Sequence, residues 1–433
     1  MGHELSIATT FPFVALLLAI AIMPLACGHW WEHNRNKAIV TVLISAPVAV
    51  YIGMKDHQLL LHTGVEYVSF IVLLAALFTA AGGIYVTGNL LGTPATNMAF
   101  LGIGAILANL VGTTGASMIL IRPLIRANSE RKHTLHIFVF FIFIVSNCAG
   151  LLTPLGDPPL FLGFLRGVPF FWTLRLFGPW LLCLGLIFAV FFVIEQRAYS
   201  KETKDSSALD VADYVPTRLC GKINILFLAG ILGAVFLPGA IHEVETPQGL
   251  EAHFGMPWRE IAMLAMLAAS LELGPSGPRS SNKFTFGPIN EVAILFAGIF
   301  AAMIPALEIL KARGGELGIT QPWQFFWVTG ALSSFLDNAP TYLTFATTAL
   351  GSLGVSDLAA LAAHPEHSLF LSAVSAGAVF MGANSYIGNA PNFMVKAVCE
   401  ESGIRMPSFF GYMLYSCLVL LPIFAVVTLV FFR

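Results

Sequence analysis

Two aspartates lie within stretches apolar enough to cross a membrane, and they are the residues best suited to bind or exchange a cation. Asp157 stands in SNCAGLLTPLGDPPLFLGFL, which begins at Ser146, and Asp337 stands in SFLDNAPT, which begins at Ser334. An ionised carboxylate at membrane depth costs at least ~2.5 to 3.5 kcal/mol, so it requires a partner cation or a proton. Burial disfavours the charged form of a carboxyl group, and a bound cation favours it. One such group can therefore hold either H⁺ or Na⁺, which is the minimum requirement for exchange at a single site.

Neutral oxygen ligands accompany the two aspartates. Na⁺ is a hard ion that binds several oxygens, and hydroxyl and amide side chains supply them beside the free carbonyls of broken helices. The candidates are Thr113, Thr114, Ser146, Asn147, Asn338, Thr341, Asn384 and Asn389. Alternatively, these side chains only repair the backbone where Gly and Pro interrupt a helix. An aspartate has its own alternative, since Asp before Pro-Pro is a natural helix N-cap context. We predict Na⁺ sites at Asp157 and Asp337.

The composition is typical of a polytopic membrane protein. Of 433 residues, 57% are hydrophobic and 11% are charged, and the mean hydropathy is +0.81. About 20 apolar residues are needed to cross the hydrocarbon core. The sequence predicts about ten spans, at 6–27, 37–54, 66–86, 134–165, 175–195, 223–241, 259–273, 288–307, 369–400 and 408–432. The chain contains no P-loop motif, so transport driven by ATP hydrolysis on this chain is not expected. The predicted fold class is an all-α polytopic membrane protein.

Polar residues, Gly and Pro interrupt two of these spans and two further apolar segments near their middle. Segments 90–128 and 322–350 contain NLVGTTGAS and SFLDNAPT, and spans 134–165 and 369–400 contain GDPP and GNAP. Unwound backbone at membrane depth is tolerated only where it is buried in protein or lines a cavity. We therefore predict two re-entrant hairpins and two broken helices that line a cavity.

Positive charge is concentrated in alternate connections, and this sets the predicted orientation. Thirteen of the 22 Lys and Arg lie in five connections, of which 197–222 is the richest. These connections are predicted to be cytoplasmic, whereas 242–257 and 351–368 contain no Lys or Arg and are predicted to lie outside. The halves 1–196 and 223–433 then run in opposite directions, joined by a cytoplasmic linker. This is the pattern of an inverted repeat, in which VGTTGASM aligns with LDNAPTYL.

Several other polar residues suggest weaker hypotheses. The segment HWWEH from His29 to His33 matches the HxxEH pattern of a zinc protease, but its tryptophans are also typical of a membrane interface. Glu66 and Glu291 lie near span ends, where solvated positions are expected. Arg122 is either a counter-charge for an anionic substrate or an interface anchor. The six cysteines show no CxxC spacing and are expected to be reduced thiols.

The order of hairpin, broken helix, hairpin and broken helix resembles the ion transporter superfamily, over nearly the whole chain. SNCAGLLTPLGDPP is most similar to the branch of NhaD-type sodium/proton antiporters and proteins labelled citrate transporters. The hairpin tips GTTGAS and DNAPT depart from the Ser-Asn-Thr motifs of the dicarboxylate symporters. The resemblance implies a transport domain of hairpins and broken helices, held by a scaffold domain. It also implies a homodimer and an elevator-like movement of the substrate site.

These observations together favour a secondary transporter in a prokaryotic cytoplasmic membrane, not an enzyme. The expected activity is exchange of Na⁺ or Li⁺ for H⁺. The alternatives are a sodium-coupled carrier of citrate or another carboxylate, and an arsenite-type efflux carrier. We expect no cofactor apart from the transported Na⁺ and H⁺, and no nucleic-acid partner. The expected partners are the lipid bilayer, a small inorganic cation and a second copy of the chain.

Overall fold

A computed structural model describes residues 2, 4–202, 215–241 and 257–433 of the chain. Its helices in the first half are α1 (Phe11–Ala26), α2 (Gly28–Trp31), α3 (Asn34–Lys55), α4 (His57–Gly82), α5 (Pro94–Ala127), α6 (Leu135–Ile144), α7 (Pro158–Leu165) and α8 (Phe177–Tyr199). Those in the second half are α9 (Ile223–Ile241), α10 (Trp258–Leu273), α11 (Ser276–Ser281), α12 (Gly287–Arg313), α13 (Pro322–Ser333), α14 (Asn338–Leu353), α15 (Leu358–Ala363), α16 (Ser368–Met381), α17 (Ala390–Glu401) and α18 (Phe409–Phe431). Short 3₁₀ helices lie at Ile7–Thr10, Cys148–Leu151, Phe170–Leu176, Gly314–Leu317 and Gly382–Asn384.

The predicted fold class, an all-α polytopic membrane protein, is confirmed. Within the described residues, seven helices are long and apolar enough to cross a membrane. Each of the ten predicted spans coincides with a helix or with two half-helices separated by a break. The predicted outer connection 242–257 lies outside the described residues except for its last residue, Pro257.

Helix α5 is a hairpin of two antiparallel legs that meet at Gly112. Gly112 has φ 79° and ψ 157°, a conformation that residues with a Cβ rarely adopt. At the far ends of the legs, Asn97 Nδ2 donates to Asn128 Oδ1 at 3.0 Å, and Asn128 Nδ2 donates to Asn97 Oδ1 at 2.8 Å. In one straight helix these residues would be about 46 Å apart. The paired amides therefore close the base of the hairpin.

The two broken helices have matching constructions. In the first, α6 is followed by the 3₁₀ turn Cys148–Leu151 and by the half-helix α7, which begins after Asp157. In the second, α16 is followed by the 3₁₀ turn Gly382–Asn384 and by α17, which begins after Asn389. Helices α13 and α14 meet at 334–337, the segment predicted as the tip of the second hairpin. All four interruptions thus coincide with the Gly, Pro and Asn residues that break the apolar runs.

The helices pack in two sets, which we name for later use. The frame set is α1, α3, α4, α9, α10 and α12, in which α12 lies along α3 and α4, and α10 packs against α4 and α9. The site set is α5 to α8, α13, α14 and α16 to α18, in which α13 packs against α16 and α7 against α14. The two sets touch where α12 meets α14 and where α4 meets α5 and α7.

A pair of short antiparallel strands was not predicted. Strand β1 (Tyr85–Asn89) follows α4, and β2 (Val215–Cys220) lies in the predicted linker 197–222, with Tyr85 opposite Cys220. Arg126 of the α5 hairpin donates to the backbone oxygen of Val86 and to the hydroxyl of Tyr85, the latter at 2.8 Å. The strand pair therefore attaches the predicted linker to the base of the first hairpin.

Candidate ion-binding site

Asp157 occupies the N-cap position of α7 but does not cap it. Its backbone is extended, and no backbone N–H of α7 donates to its carboxylate. Pro158 and Pro159 have no N–H group to offer, and the N–H of Leu160, the first one available, donates to the backbone oxygen of Asp157 at 3.1 Å. The side chain is buried, with 1% of its surface exposed. The carboxylate of Asp157 therefore stands at a helix start without a backbone donor.

Three side chains from three other elements donate to this carboxylate instead. Thr113 Oγ1, at the tip of the first hairpin, donates to Asp157 Oδ1 at 3.0 Å. Asn389 Nδ2, at the start of α17, donates to the same oxygen at 3.0 Å. Asn338 Nδ2, at the tip of the second hairpin, donates to Asp157 Oδ2. None of the ion pairs among the described residues includes Asp157.

Asp337 has a different environment and does cap its helix. Its Oδ1 accepts a hydrogen bond from the backbone N–H of Ala339 at 3.0 Å, and its side chain is partly exposed. Thr341 donates from its hydroxyl to the backbone oxygen of Asp337 at 2.9 Å, within its own helix. The helix-cap alternative therefore applies to Asp337 and not to Asp157, although the sequence context GDPP favoured the opposite.

A cavity of about 100 Å³ lies between the two sets of helices, beside both aspartates. This volume holds several water molecules. Phe70, Leu73, Leu74, Leu77 and Phe78 of α4 and Pro288, Ile289, Val292 and Phe296 of α12 form the frame side, and Val111–Gly115, Pro154–Pro158, Phe161, Asp337, Asn389, Ala390 and Met394 form the opposite side. Among the described residues that line it there are two carboxylates and no Lys, Arg or His. The ionisable side chains that line the cavity are therefore both acidic, and the rest of its lining is mainly apolar.

The remaining predicted residues divide between this site and the second broken helix. Ser146 lies beside Asp157, since its backbone oxygen accepts from Asn389 Nδ2 at 3.1 Å. Asn147 Nδ2 donates to Asn392 Oδ1 at 2.6 Å, across to α17. Thr114 lines the cavity. Asn384 is further along, where its Nδ2 donates to Ser334 Oγ at 2.9 Å and joins the second broken helix to the second hairpin.

Three buried amide oxygens in this region have no hydrogen-bond partner. They are the Oδ1 atoms of Asn147, Asn338 and Asn384, whose side chains are all predicted ligands. A buried carbonyl without a partner costs about 1 to 3 kcal/mol. Hard cations bind carbonyl and carboxylate oxygens. The Asn338 oxygen belongs to the same amide that donates to Asp157, so it is a neutral ligand beside the charged one.

Several residues that act here were missing from the sequence predictions. Asn109 Nδ2 donates to the backbone oxygen of Ala149 at 2.7 Å, and Asn109 Oδ1 accepts from the N–H of Leu152 at 2.9 Å. Asn392 Nδ2 donates to the backbone oxygens of Gly382 and Ser385, each at 2.8 Å. These two amides repair unwound backbone, the role that the alternative hypothesis assigned to the polar residues. Asn109 had a usable signal, because it begins the interruption NLVGTTGAS.

Two charged residues that were singled out from the sequence form ion pairs. Glu66 was expected near a solvated span end, but only 3% of its surface is exposed, and its Oε2 accepts from Arg166 Nη2 at 2.9 Å. Arg122 forms an ion pair with Glu401 at 3.4 Å and does not line the cavity. It is thus not a counter-charge for an anion bound there.

The HWWEH segment does not form the metal site of a zinc protease in this structure. Helix α2 ends at Trp31, and His33 Nδ1 lies 3.2 Å from the backbone oxygen of His29. Within the described part of the chain, no group of three or more His, Cys, Asp or Glu is placed to hold a metal ion.

A multi-pass helical protein with broken helices around a buried carboxylate has the architecture of a secondary membrane transporter. A family model described as "Putative citrate transport" matches residues 2–432. The chain belongs to this family. No curated protein matches the chain.

Proposed function

We propose that this protein is a secondary transporter of a prokaryotic cytoplasmic membrane that exchanges Na⁺ or Li⁺ for H⁺ at Asp157. One observation carries the proposal. A fully enclosed carboxylate accepts hydrogen bonds from Thr113, Asn338 and Asn389 and forms no ion pair with a described residue. A buried carboxylate in this setting needs a proton or a cation to balance its charge.

Competition between the two ligands would produce the exchange. Loss of the proton creates the negative charge that attracts a cation, and the cation gains the unpartnered Asn338 oxygen as a further ligand. Proton binding removes that charge and releases the cation. Asp337, at the cavity wall, adds a second negative charge beside the site. Movement of the hairpins and broken helices past the frame set would then expose the site to each side in turn.

A second candidate is a carrier of citrate or another carboxylate that moves with a cation. The family description and the two half-helix N-termini that begin at Pro158 and Ala390 favour it, because the positive end of a helix dipole attracts anions. The cavity lining argues against a free polyanion, since its described residues include two carboxylates and no basic side chain. A carboxylate would have to enter in company with its cation.

The test is to reconstitute the purified protein in liposomes with a pH-sensitive dye inside. Addition of Na⁺ or Li⁺ outside should move protons out of the liposomes, and addition of K⁺ should not. A parallel arm adds citrate with Na⁺. Citrate-dependent Na⁺ uptake without proton movement in the cation-only arm would replace the proposed exchange by the second candidate. The proposed homodimer is tested separately by chemical cross-linking of the reconstituted protein.

A further inference from the structure

We infer that the Glu66–Arg166 ion pair is a latch between the frame set and the site set, which holds Asp157 beside the halves of the frame helices that are predicted to be nearer the cytoplasm. The inference rests on the proposed transport function, because a latch has meaning only for a site that changes its access. It concerns a pair of residues outside the ion site itself.

The pair joins one helix of each set through a contact in which Glu66 is buried and Arg166 is partly exposed. Arg166 is the C-cap residue of α7, and its Nη2 and Nε lie 2.9 and 3.3 Å from Glu66 Oε2. Glu66 lies on α4, and its other oxygen is 3.4 Å from His62 Nε2. A buried carboxylate that loses its cationic partner is strongly destabilised. The contact therefore favours the relative position of α4 and α7 in which it forms.

A second ion pair between the two sets is much weaker. Lys283, before α12, bonds to Glu401 at the end of α17, but their side chains are 60% and 47% exposed. Ion pairs exposed to this degree contribute little. Of these two contacts, the Glu66–Arg166 pair is therefore the one that can fix the position of the site set relative to the frame set.

The short helix α7 acts as a rigid spacer between the latch and the ion site. Asp157 and Arg166 flank its eight residues, nine positions apart, which corresponds to about 13.5 Å along the helix. The same distance along α4 from Glu66 reaches position 75. The cavity beside Asp157 is lined on α4 by Phe70, Leu73, Leu74, Leu77 and Phe78. An Arg166 held at Glu66 therefore places Asp157 beside the second half of α4, which runs from His57 to Gly82.

The contacts of helix α12 place the cavity at the same depth as those of α4. It begins at Gly287, and its cavity-lining residues are Pro288, Ile289, Val292 and Phe296, all within its first ten positions. Both frame helices thus meet the cavity with the halves that the charge distribution predicts to be nearer the cytoplasm. Movement of Asp157 toward the outer side of the membrane would carry Arg166 past Glu66 and separate the pair. The latch therefore exists in the inward position and is absent from the outward one.

The experiment measures the position of the site without measuring transport. Met394 of α17 lines the cavity, so Met394→Cys is introduced into the full chain with the six native cysteines replaced. An impermeant maleimide is applied to right-side-out and to everted vesicles, and the ratio of the two labelling rates is compared among variants. Arg166→Gln and Glu66→Gln remove the latch, and Glu66→Arg with Arg166→Glu rebuilds it with reversed charge. Lys37→Gln is the matched control, because it removes a 2.7 Å ion pair with Glu291 that lies within the frame set.

With the native pair, labelling should be faster in everted vesicles. Arg166→Gln should raise relative labelling from outside about tenfold, the size of a typical coupling between two conformations. Glu66→Gln should raise it less, because the freed Arg166 is already 23% exposed and reaches water. The reversed pair should return the ratio toward the native value, and Lys37→Gln should leave it unchanged.

Two results would overturn the latch. One is a ratio for both single variants within about twofold of the Lys37→Gln control, which is less than the weakest coupling expected. The other is a reversed pair that shifts the ratio as far as the single variants do, since the loss would then reflect damage to the fold. Failure of Na⁺ to drive proton movement would refute the proposed exchange and leave the labelling result standing, so the two failures are distinguishable.

Discussion

Replacement of Asp157 by Asn tests whether this carboxylate is the exchange site or a structural element. Asn has the same shape as Asp but cannot release a proton. Its oxygen can occupy the Oδ1 position and accept from Thr113 and Asn389, which now donate to Oδ1. Its NH₂ group then faces Asn338, whose unpartnered oxygen becomes an acceptor if that amide turns over. Position 157 can therefore keep three hydrogen bonds, and the buried group without a partner changes from the Asn338 oxygen to the Asn338 NH₂.

The effect of this replacement on stability should be small. Hydrogen bonds to a charged group contribute about 1.5 to 3 kcal/mol and neutral ones about 0.5 to 1.5 kcal/mol, so three weakened bonds lose roughly 3 to 4 kcal/mol. The variant no longer buries an ionised carboxylate, which recovers at least about 2.5 to 3.5 kcal/mol. The two contributions nearly cancel, and the net change in the free energy of unfolding should not exceed about 2 kcal/mol.

Transport should respond quite differently from stability. We expect Asp157→Asn to give wild-type amounts of folded protein in the membrane and a Na⁺-dependent dye response equal to that of protein-free liposomes. Size-exclusion chromatography and thermal unfolding in detergent check the first expectation, and the liposome assay checks the second. Proton movement at the wild-type rate in a correctly folded Asp157→Asn protein would refute the assignment of the exchange site.

Four further predictions follow from the geometry. Asp337→Asn should keep its helix cap, because Asn is an equally good N-cap, and it should weaken cation affinity without abolishing exchange. Asp337→Ala should weaken cation affinity too, and should also lower stability by about 1 kcal/mol in thermal unfolding. Gly112→Ala should destabilise the protein by about 1 to 3 kcal/mol, measured by thermal unfolding, because of the positive φ of Gly112. Gly102→Ala, in the first leg of the same hairpin, should be neutral or stabilising in the same measurement, because a Cβ there would meet no atom within 4 Å. Single cysteines at the exposed Ser200 and Ser356 should be labelled from opposite sides of the membrane, and labelling from one side would contradict the predicted orientation. The apparent affinity for Na⁺ in the dye assay should fall as the pH is lowered from about 9 to about 6, because H⁺ and Na⁺ compete and their coupling is reciprocal. An affinity independent of pH would argue against a shared site.

The sequence predicted those features that arise from local chemistry. Apolar runs of sufficient length identified the helices, and Gly, Pro and Asn within them marked all four interruptions. Asp157 was recognisable because a carboxylate in such a run is costly. Thr113, Asn338 and Asn389 were recognised as possible ligands from their positions in the same interruptions. The structure adds that all three donate to one carboxylate.

Features that depend on distant contacts were not accessible. Glu66 and Arg166 are 100 positions apart, and nothing local to either residue indicates the other. Strands β1 and β2 are separated by more than a hundred residues, and neither is long enough to be recognised without its partner. The difference between the two aspartates depended on which backbone N–H groups their neighbours offer. The two prolines after Asp157 remove two donors, but Leu160 keeps its N–H. The sequence does not show that this N–H bonds to the backbone oxygen of Asp157 and not to its carboxylate.

The absence of a backbone donor to the Asp157 carboxylate also affects how the two hairpins are connected. A carboxylate that capped its own helix would make no hydrogen bonds to the hairpins. The Asp157 carboxylate instead accepts from Thr113 of the first hairpin and from Asn338 of the second hairpin. It thereby works as a reversible cross-link between two segments more than 200 residues apart in the chain. Charge on the carboxylate tightens that cross-link, and its neutralisation loosens it. On the proposed exchange, proton binding at Asp157 would therefore also weaken the contact between the two hairpins.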